Sequence, residues 1–442
     1  MSKAIAILFV SLTLGLGWAI RGHFGHEWGA AWAGVMAGLA VIAVSRRSDW
    51  TARAPVLGAL AGIGWAVGGM MSYGRVVGFC RGAYFLDVYY GLLMLAVIGG
   101  LYGLIGGGLL GLSLETTERR KPDWATLITQ MVAGAIFTWG TLVYKLELLM
   151  TPPRSELWAA CLGAGLFLVW YCHRNGFHLA VRTALYSALG AGFGFAFGNF
   201  WQTLGSVSGI SINWWNVMEF TLGSCGGLGM AYAIFSRPWP KCTESSSTAN
   251  ALAFLFILLA IPATNIHQAF ESRKLVEMAE QLGLTDPLRF AEQHIEYAWV
   301  ATLVTLVIGC IAWQLLRRKA ESPNSLRSLA LLIVVTLLYL TFSHLRKGVL
   351  VTGFESQPEQ VAYWIVFAAA GLVYVVSRFS EAQPVILETS ENGDAPTGAS
   401  LESSRHYVVL FLLLAIVCAL LAWISINAHE GLPGAHSRFW PE

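Results

Sequence analysis

Charge is scarce in this chain. Only 12% of its 442 residues are Asp, Glu, Lys or Arg, against about a quarter in soluble domains. A soluble chain of this length would split into two or three domains, each needing a charged skin. Twenty-eight basic and 26 acidic side chains cannot supply it. The net charge of +2 also excludes the strongly basic surface that nucleic acid demands, so no nucleic-acid partner is expected. Cysteine is sparse, at seven residues, and its spacing gives neither a disulfide framework nor a zinc site. Cys161, Cys172, Cys225, Cys310 and Cys418 lie in apolar runs and read as small apolar filler. Alternation of apolar and polar residues between turn signals is missing too, which argues against a β-barrel. Residues 4–20 lack the short core and small-residue end of a cleavable signal, and read as a retained first span.

What is abundant points to lipid as the solvent. Hydrophobic residues make up 56% of the chain, with 47 Gly and 18 Trp. Gly lets transmembrane helices approach closely, and Trp prefers the membrane interface. Backbone groups in lipid must be satisfied within each segment, so the spans are expected to be helices. The expected fold is all-α and polytopic, with about thirteen transmembrane helices, at 4–20, 28–45, 54–71, 88–113, 125–145, 157–172, 183–200, 217–235, 250–269, 298–316, 328–345, 361–378 and 407–426. The N-terminus and the even-numbered connections carry seventeen of the 28 Lys and Arg residues, the odd connections and the C-terminal tail eleven. This bias predicts a cytoplasmic N-terminus, an outer C-terminus, and residence in the inner or plasma membrane. Residues 271–297 read as an amphipathic helical hairpin on the outer surface, broken near Asp286-Pro287. Residues 380–405, rich in Ser, Glu, Gly and Pro, read as a flexible cytoplasmic linker.

The first eight spans read as four spans written twice. Gly38-Leu39 matches Gly165-Leu166, Arg47 matches Arg174, and Gly99-Gly100-Leu101 matches Gly226-Gly227-Leu228, all at an offset of 127. Gly62, Gly64, Ala66 and Gly68 match Gly192, Gly194, Ala196 and Gly198. Gly74 and Gly78 match Gly205 and Gly209, Tyr89-Tyr90 matches Trp214-Trp215, and Asp87 falls near Asn213. An even-numbered unit makes a parallel repeat. The expected division is therefore repeat one at 1–122, repeat two at 123–240, and an appended C-terminal bundle at 250–442.

This topology gathers polar residues on one face. Arg21, His23, His26 and Glu27 follow span one, and Tyr73, Arg75, Arg81 and Asp87 follow span three. Lys145, Glu147, Arg154 and Glu156 follow span five, while Asn199, Gln202, Asn213, Asn216 and Glu219 surround the turn between spans seven and eight. Charges near membrane depth are costly and pair or line a wet cavity. Both signs occur here, so a polar cavity open to the outside is expected, with Gly74, Gly78, Gly205 and Gly209 letting backbone approach a ligand or dip inward. Arg21, His23, His26, Glu27, Tyr73, Arg75, Arg81, Asp87, Asn199, Gln202 and Glu219 are its expected substrate-binding residues. If helical, His23, His26 and Glu27 share a face, a spacing suited to hydrogen bonding, a proton relay or a transition metal. It is neither H-E-x-x-H nor H-x-x-E-H, and neither a metal nor any other cofactor is assigned. Asn265, His267, Gln268, His344, Arg346 and Lys347 are candidates for the cavity wall. Trp18, Trp28, Trp214 and Trp215 fit an outer aromatic belt.

These features favour a transporter or channel for a small polar or anionic solute, with the bilayer and that solute as partners. The cationic residues suit a carboxylate or other anionic group. Two other readings stay open. One is a membrane-embedded transferase or hydrolase acting on lipid-linked or envelope sugars, with His and carboxylate as acid and base. The other is an accessory subunit without chemistry. A polar path continuing past the midplane would favour transport, and a blind pocket beside a lateral lipid opening an enzyme.

Overall fold

The computed structural model describes residues 2–153, 156–318, 325–355, 357–379 and 402–439. Among these the chain is all-helical, with no β-strand element. The helices in order are α1 (Lys3–Arg21), α2 (His26–Ser45), α3 (Ser48–Ala52), α4 (Ala54–Gly69), α5 (Gly74–Cys80), α6 (Phe85–Leu114), α7 (Trp124–Trp139), α8 (Leu157–Arg174) and α9 (His178–Val207). They continue with α10 (Trp214–Phe235), α11 (Ser247–Leu255), α12 (Ile261–Ala269), α13 (Ser272–Gln281), α14 (Pro287–Arg318), α15 (Ser325–Arg346), α16 (Val349–Thr352), α17 (Pro358–Phe379) and α18 (Ser404–Ala428). A π-helical turn, Phe256–Ala260, joins α11 to α12 just before Pro262, whose missing N–H cannot continue the regular ladder.

Ten helices among the described residues are long and apolar enough to cross a membrane. The count is eleven if α4 and α5, bent by 63° at the break between them, form one broken span. This is compatible with a multi-pass membrane protein. All thirteen expected segments fall on helices, but α8 and α10 stay outside the count. The first closes on His173-Arg174. The second opens on Trp214-Trp215-Asn216 and carries Glu219, so each is diluted by polar residues.

Six helices close into a ring, each packed on the next: α1, α2, α4, α6, α9, α10 and back to α1. They form three two-helix hairpins, α1–α2, α4–α6 and α9–α10, whose connections emerge at one end. Each hairpin carries one pattern on its first helix: Gly15-Leu16-Gly17-Trp18-Ala19, Gly62-Ile63-Gly64-Trp65-Ala66 and Gly192-Phe193-Gly194-Phe195-Ala196. The glycines do the same work in all three. A methyl on the first would come within 2.8 Å of Phe220 in α10 at Gly15, 2.7 Å of Val35 in α2 at Gly62, and 2.7 Å of Ala96 in α6 at Gly192. Each of these is the second helix of the preceding hairpin. A methyl on the second glycine would meet the hairpin's own partner helix, at Ala33, Gly106 and Cys225. Without side chains at these seams the helix axes approach closely. The aromatic position fills the axis. Trp18, Trp65 and Phe195 are fully buried. Trp18 lies 5.0 Å from Trp65 and 5.3 Å from Tyr102, and Tyr102 lies 6.1 Å from Phe195, centroid to centroid. Trp18 is thus not part of an aromatic belt, as expected from its place near a helix end, but part of the ring's interior.

The remaining helices wrap the ring. The α7–α8 pair leans on α6 and α9, α11 on α4, α15 on α2, α17 on α1, and α18 on α6 and α9. The amphipathic segment keeps only its first arm as a separate helix, α13, with Leu275 and Ala279 buried. Its second arm runs unbroken into α14, because Pro287 stands at the first helical position, where a proline is harmless. Most of the stretch read as a linker, residues 380–401, lies outside the described residues.

Candidate functional site

Each hairpin sends one polar side chain to the axis at the end where the connections emerge. Arg21 closes α1, Tyr73 stands in the break between α4 and α5, and Glu219 lies in the second turn of α10. All three are buried, Glu219 completely. Tyr73 donates to Glu219 Oε1 and accepts from Arg21 Nη1 at 2.9 Å. The same Nη1 is 3.5 Å from Glu219 Oε1. Arg21 Nη2 meets His26 Nδ1 at 3.0 Å and, more distantly, the Gly69 carbonyl at 3.5 Å. The guanidinium rests on the Trp18 and Tyr73 rings, 5.2 and 5.6 Å from their centroids. Glycine makes this possible locally. A methyl on Gly29 would stand 3.0 Å from Arg21 Cγ. Arg21 Nε is buried without a hydrogen bond among the described residues, while the Glu219 carboxylate also faces the Trp215 and Trp18 indoles, so the arginine of the triad is not saturated.

Above the triad opens a cavity of about 590 Å³, within the size range of small-molecule sites. Arg21, His26, Tyr73 and Arg75 line it together with Ser72, Trp215, Pro152, Pro153 and His436. Glu156 holds the proline loop in place, accepting from the amides of Met150 and Thr151 and from the Trp158 indole, each at 2.8 Å. The C-terminal tail closes another side. Buried Asp87 accepts from Ser437 Oγ at 2.9 Å and from the amides of Arg438 and Phe439 at 2.7 and 3.1 Å. Arg81 donates to the Pro433 carbonyl at 3.0 Å, and Arg75 Nη1 meets His436 Nδ1 at 2.7 Å. Below, the cavity ends at the triad, and the Trp18–Trp65–Tyr102–Phe195 layer fills the axis, so among the described residues the cavity does not continue along the axis. An apolar groove of about 300 Å³ lies between α1, α10 and α17, on the far side of the α1–α10 contact from the cavity.

The expected residues therefore divide. Arg21, His26, Tyr73, Arg75 and Glu219 come together. Arg81 and Asp87 anchor the tail instead of lining the cavity. Asn199 Nδ2 donates to Gln202 Oε1 at 2.9 Å within α9, and neither reaches the cavity. Glu27 sits in the first turn of α2, where the helix N-terminus favours a carboxylate. The shared face expected for His23, His26 and Glu27 does not form, because residues 22–25 break the helix between them. His23 turns the other way, to Ser343 Oγ at 2.8 Å and Tyr363. Of the glycines expected to admit a ligand, Gly78 and Gly205 instead receive the His436 and Trp214 rings, while Gly74 and Gly209 face open space. Sequence reasoning missed His436, Pro152 and Pro153. They lie in a tail and a loop with no motif, and only folding brings them to the cavity.

Compared as a whole, the chain matches no protein-family model, no curated protein and no solved structure.

Proposed function

We propose that this chain is a multi-pass membrane protein that binds a small anionic solute, a carboxylate or phosphate ester, in the Arg21–Arg75 cavity and carries it across the bilayer. The observation that carries the reading is the position of the cavity on the axis of the ring, lined by Arg21, Arg75, His26 and His436. Planar guanidinium groups suit carboxylate and phosphate. In this reading the structure is an occluded-below state of an alternating-access carrier. The three hairpins are its repeat, a shorter unit than the four-span copy, and the basic bias of the connections sets the cavity on the outer face. The Arg21–Tyr73–Glu219 triad joins all three hairpins, so an anion that competes with Glu219 for Arg21 loosens one hairpin from the others.

A second reading, an enzyme using the same cavity, is favoured by two observations, of which the first is that the cavity is blind, closed below by the triad. The second is that His26 and Tyr73 both bond to Arg21, which puts two proton-transferring groups beside the anion site. Uptake into sealed vesicles separates the two. With a panel of radiolabelled carboxylates and phosphate esters, wild-type protein is expected to accumulate at least one unmodified solute, Arg75→Ala to accumulate none, and Glu27→Gln to match wild type. Chemical conversion without accumulation would favour the enzyme. Equal flux in wild type and Arg75→Ala would remove the cavity from the path.

A further inference from the structure

A second pocket of about 520 Å³ lies on the other side of Gly22, beneath the amphipathic helix α13 and against the end of α15. Its cationic wall comes from Arg346, Lys347 and Lys274. Three carboxylates stand near: Glu277 lines the pocket but pairs outward with Arg273, while Glu271 and Glu359 lie against the pocket's own lysines, and Glu271 also faces Arg346. Glu277 pairs with Arg273 at 3.0 Å, and Glu271 pairs with Lys274 at 3.0 Å. Glu359 approaches Lys347 only to 3.7 Å. Arg346 makes no ion pair among the described residues within 4.0 Å, and its Nε is buried without a hydrogen bond. His23 forms the inner wall. Burial, and then the charges of Lys347 and Arg346, hold its imidazole well below the usual pKa, so it stays neutral at pH 7. The pocket therefore sets Arg346, which has no ion pair among the described residues and an unsatisfied buried Nε, beside two lysines that each have a carboxylate partner. It sits under a helix with one apolar and one charged face, as interfacial helices have. The apolar groove between α1, α10 and α17 begins on the other side of the His23–Tyr363 contact.

We infer that this pocket binds the phosphate of an anionic phospholipid headgroup. Arg346 and Lys347 take the phosphate oxygens, Lys274 on α13 covers it from above, and the neighbouring groove accepts part of one acyl chain. The lipid becomes the clamp that holds α13 and α15 to the connection between α1 and α2. The inference does not depend on what the Arg21–Arg75 cavity carries.

The test uses the full chain, purified from mixed phosphatidylglycerol and phosphatidylcholine nanodiscs and examined by native mass spectrometry. Wild type is expected to retain phosphatidylglycerol over phosphatidylcholine. Arg346→Ala combined with Lys347→Ala should lose that preference by about tenfold or more, given the contribution of each cation to anionic-lipid binding. Arg346→Lys should keep part of it, which guards against a variant that merely misfolds. Arg75→Ala, in the other cavity, should keep it all. Equal retention in wild type and the double variant, or loss in Arg75→Ala, would overturn the assignment. Displacement of the lipid by inorganic phosphate at its own concentration would overturn it too, making the site one for the free anion.

Discussion

The two ends of the helical ring both bury charge, yet they treat it differently. At the closed end the buried cations are gripped mainly by carboxylates and carbonyls, although Arg53 Nε and Arg120 Nε lack a hydrogen bond among the described residues, as Arg21 Nε does at the other end. Arg47 donates to both oxygens of Asp49 and to the carbonyls of Trp239 and Pro240. Arg182 grips Glu402 at 2.9 and 3.0 Å and donates to the Ala233 carbonyl. Buried Glu115 accepts from Arg120 at 3.0 Å and from the Ala180 amide at 2.8 Å. These groups tie loops to helix ends. At the open end Arg21 has a long contact to Glu219 and a cavity above it. A short ion pair fastens loop to helix, whereas a loosely paired cation bordering a cavity leaves room for an anion. The difference between the ends, more than the presence of charge, marks the site.

Breaking the open end should have the largest effect. Arg21→Ala leaves Glu219 buried and unpaired, and is expected to destabilise the protein by about 3–5 kcal/mol in thermal unfolding in detergent. Adding Glu219→Gln should restore most of that stability but not solute binding. If the double variant still binds solute, Arg21 is structural like the arginines of the other end. Arg182→Ala tests the converse. It should cost about 1.5–3 kcal/mol by removing charged hydrogen bonds, since Glu402 keeps Arg237 at 3.5 Å and Tyr407 at 3.2 Å, with solute affinity measured by calorimetry unchanged. Loss of affinity there would erase the contrast between the ends.

Glu115 gives the closed end a pH dependence. Burial pushes its carboxyl up to about 7. The folded protein keeps a proton between the ordinary carboxyl value and pH 7 that the unfolded chain has released. Its contribution is thus complete below about pH 4.3 and fades as pH rises through 7. Unfolding temperature across this window should fall with rising pH, by the equivalent of about 2–3 kcal/mol, and Glu115→Gln should flatten the curve. Arg75→Ala should change stability by less than about 1 kcal/mol, yet weaken anion binding about tenfold or more by removing a charged hydrogen-bond donor. Asp87→Ala, which removes the acceptor holding the tail, should have the smallest equilibrium effect. Faster solute exchange by stopped flow is expected, with affinity within about threefold. Unchanged exchange would mean that the tail is a wall and not a cover.

Much of the helix inventory was legible in the sequence, because an apolar run long enough to span lipid has few alternatives. The match of Gly62–Gly68 to Gly192–Gly198 was legible as well. The same pattern at Gly15–Ala19 has no counterpart at a four-span spacing, so only the packing of α1 against α2 and α10 makes it comparable. Arg21, Tyr73, Arg75, His26 and Glu219 were legible as residues on one face. That they meet, while Asn199, Gln202 and His23 turn away, depends on rotation of each helix about its axis. Glycine positions set that rotation only once all six helices are packed.

By itself the sequence determined the helical class, the long apolar helices that are compatible with a membrane, and the end of the molecule at which polar groups gather. These follow from composition and from the order of apolar runs and charged turns, which are properties of a chain read along its length. The tertiary structure alone decided which charges are tightly paired. Pairing Arg182 takes Glu402 and Ala233 from distant parts of the chain, and leaving Arg21 only loosely paired beside a cavity takes a closed ring, a broken helix at Tyr73 and a tail drawn in by Asp87. Hydrogen bonding acts over about 3 Å, so it depends on distances in space that a linear reading does not contain.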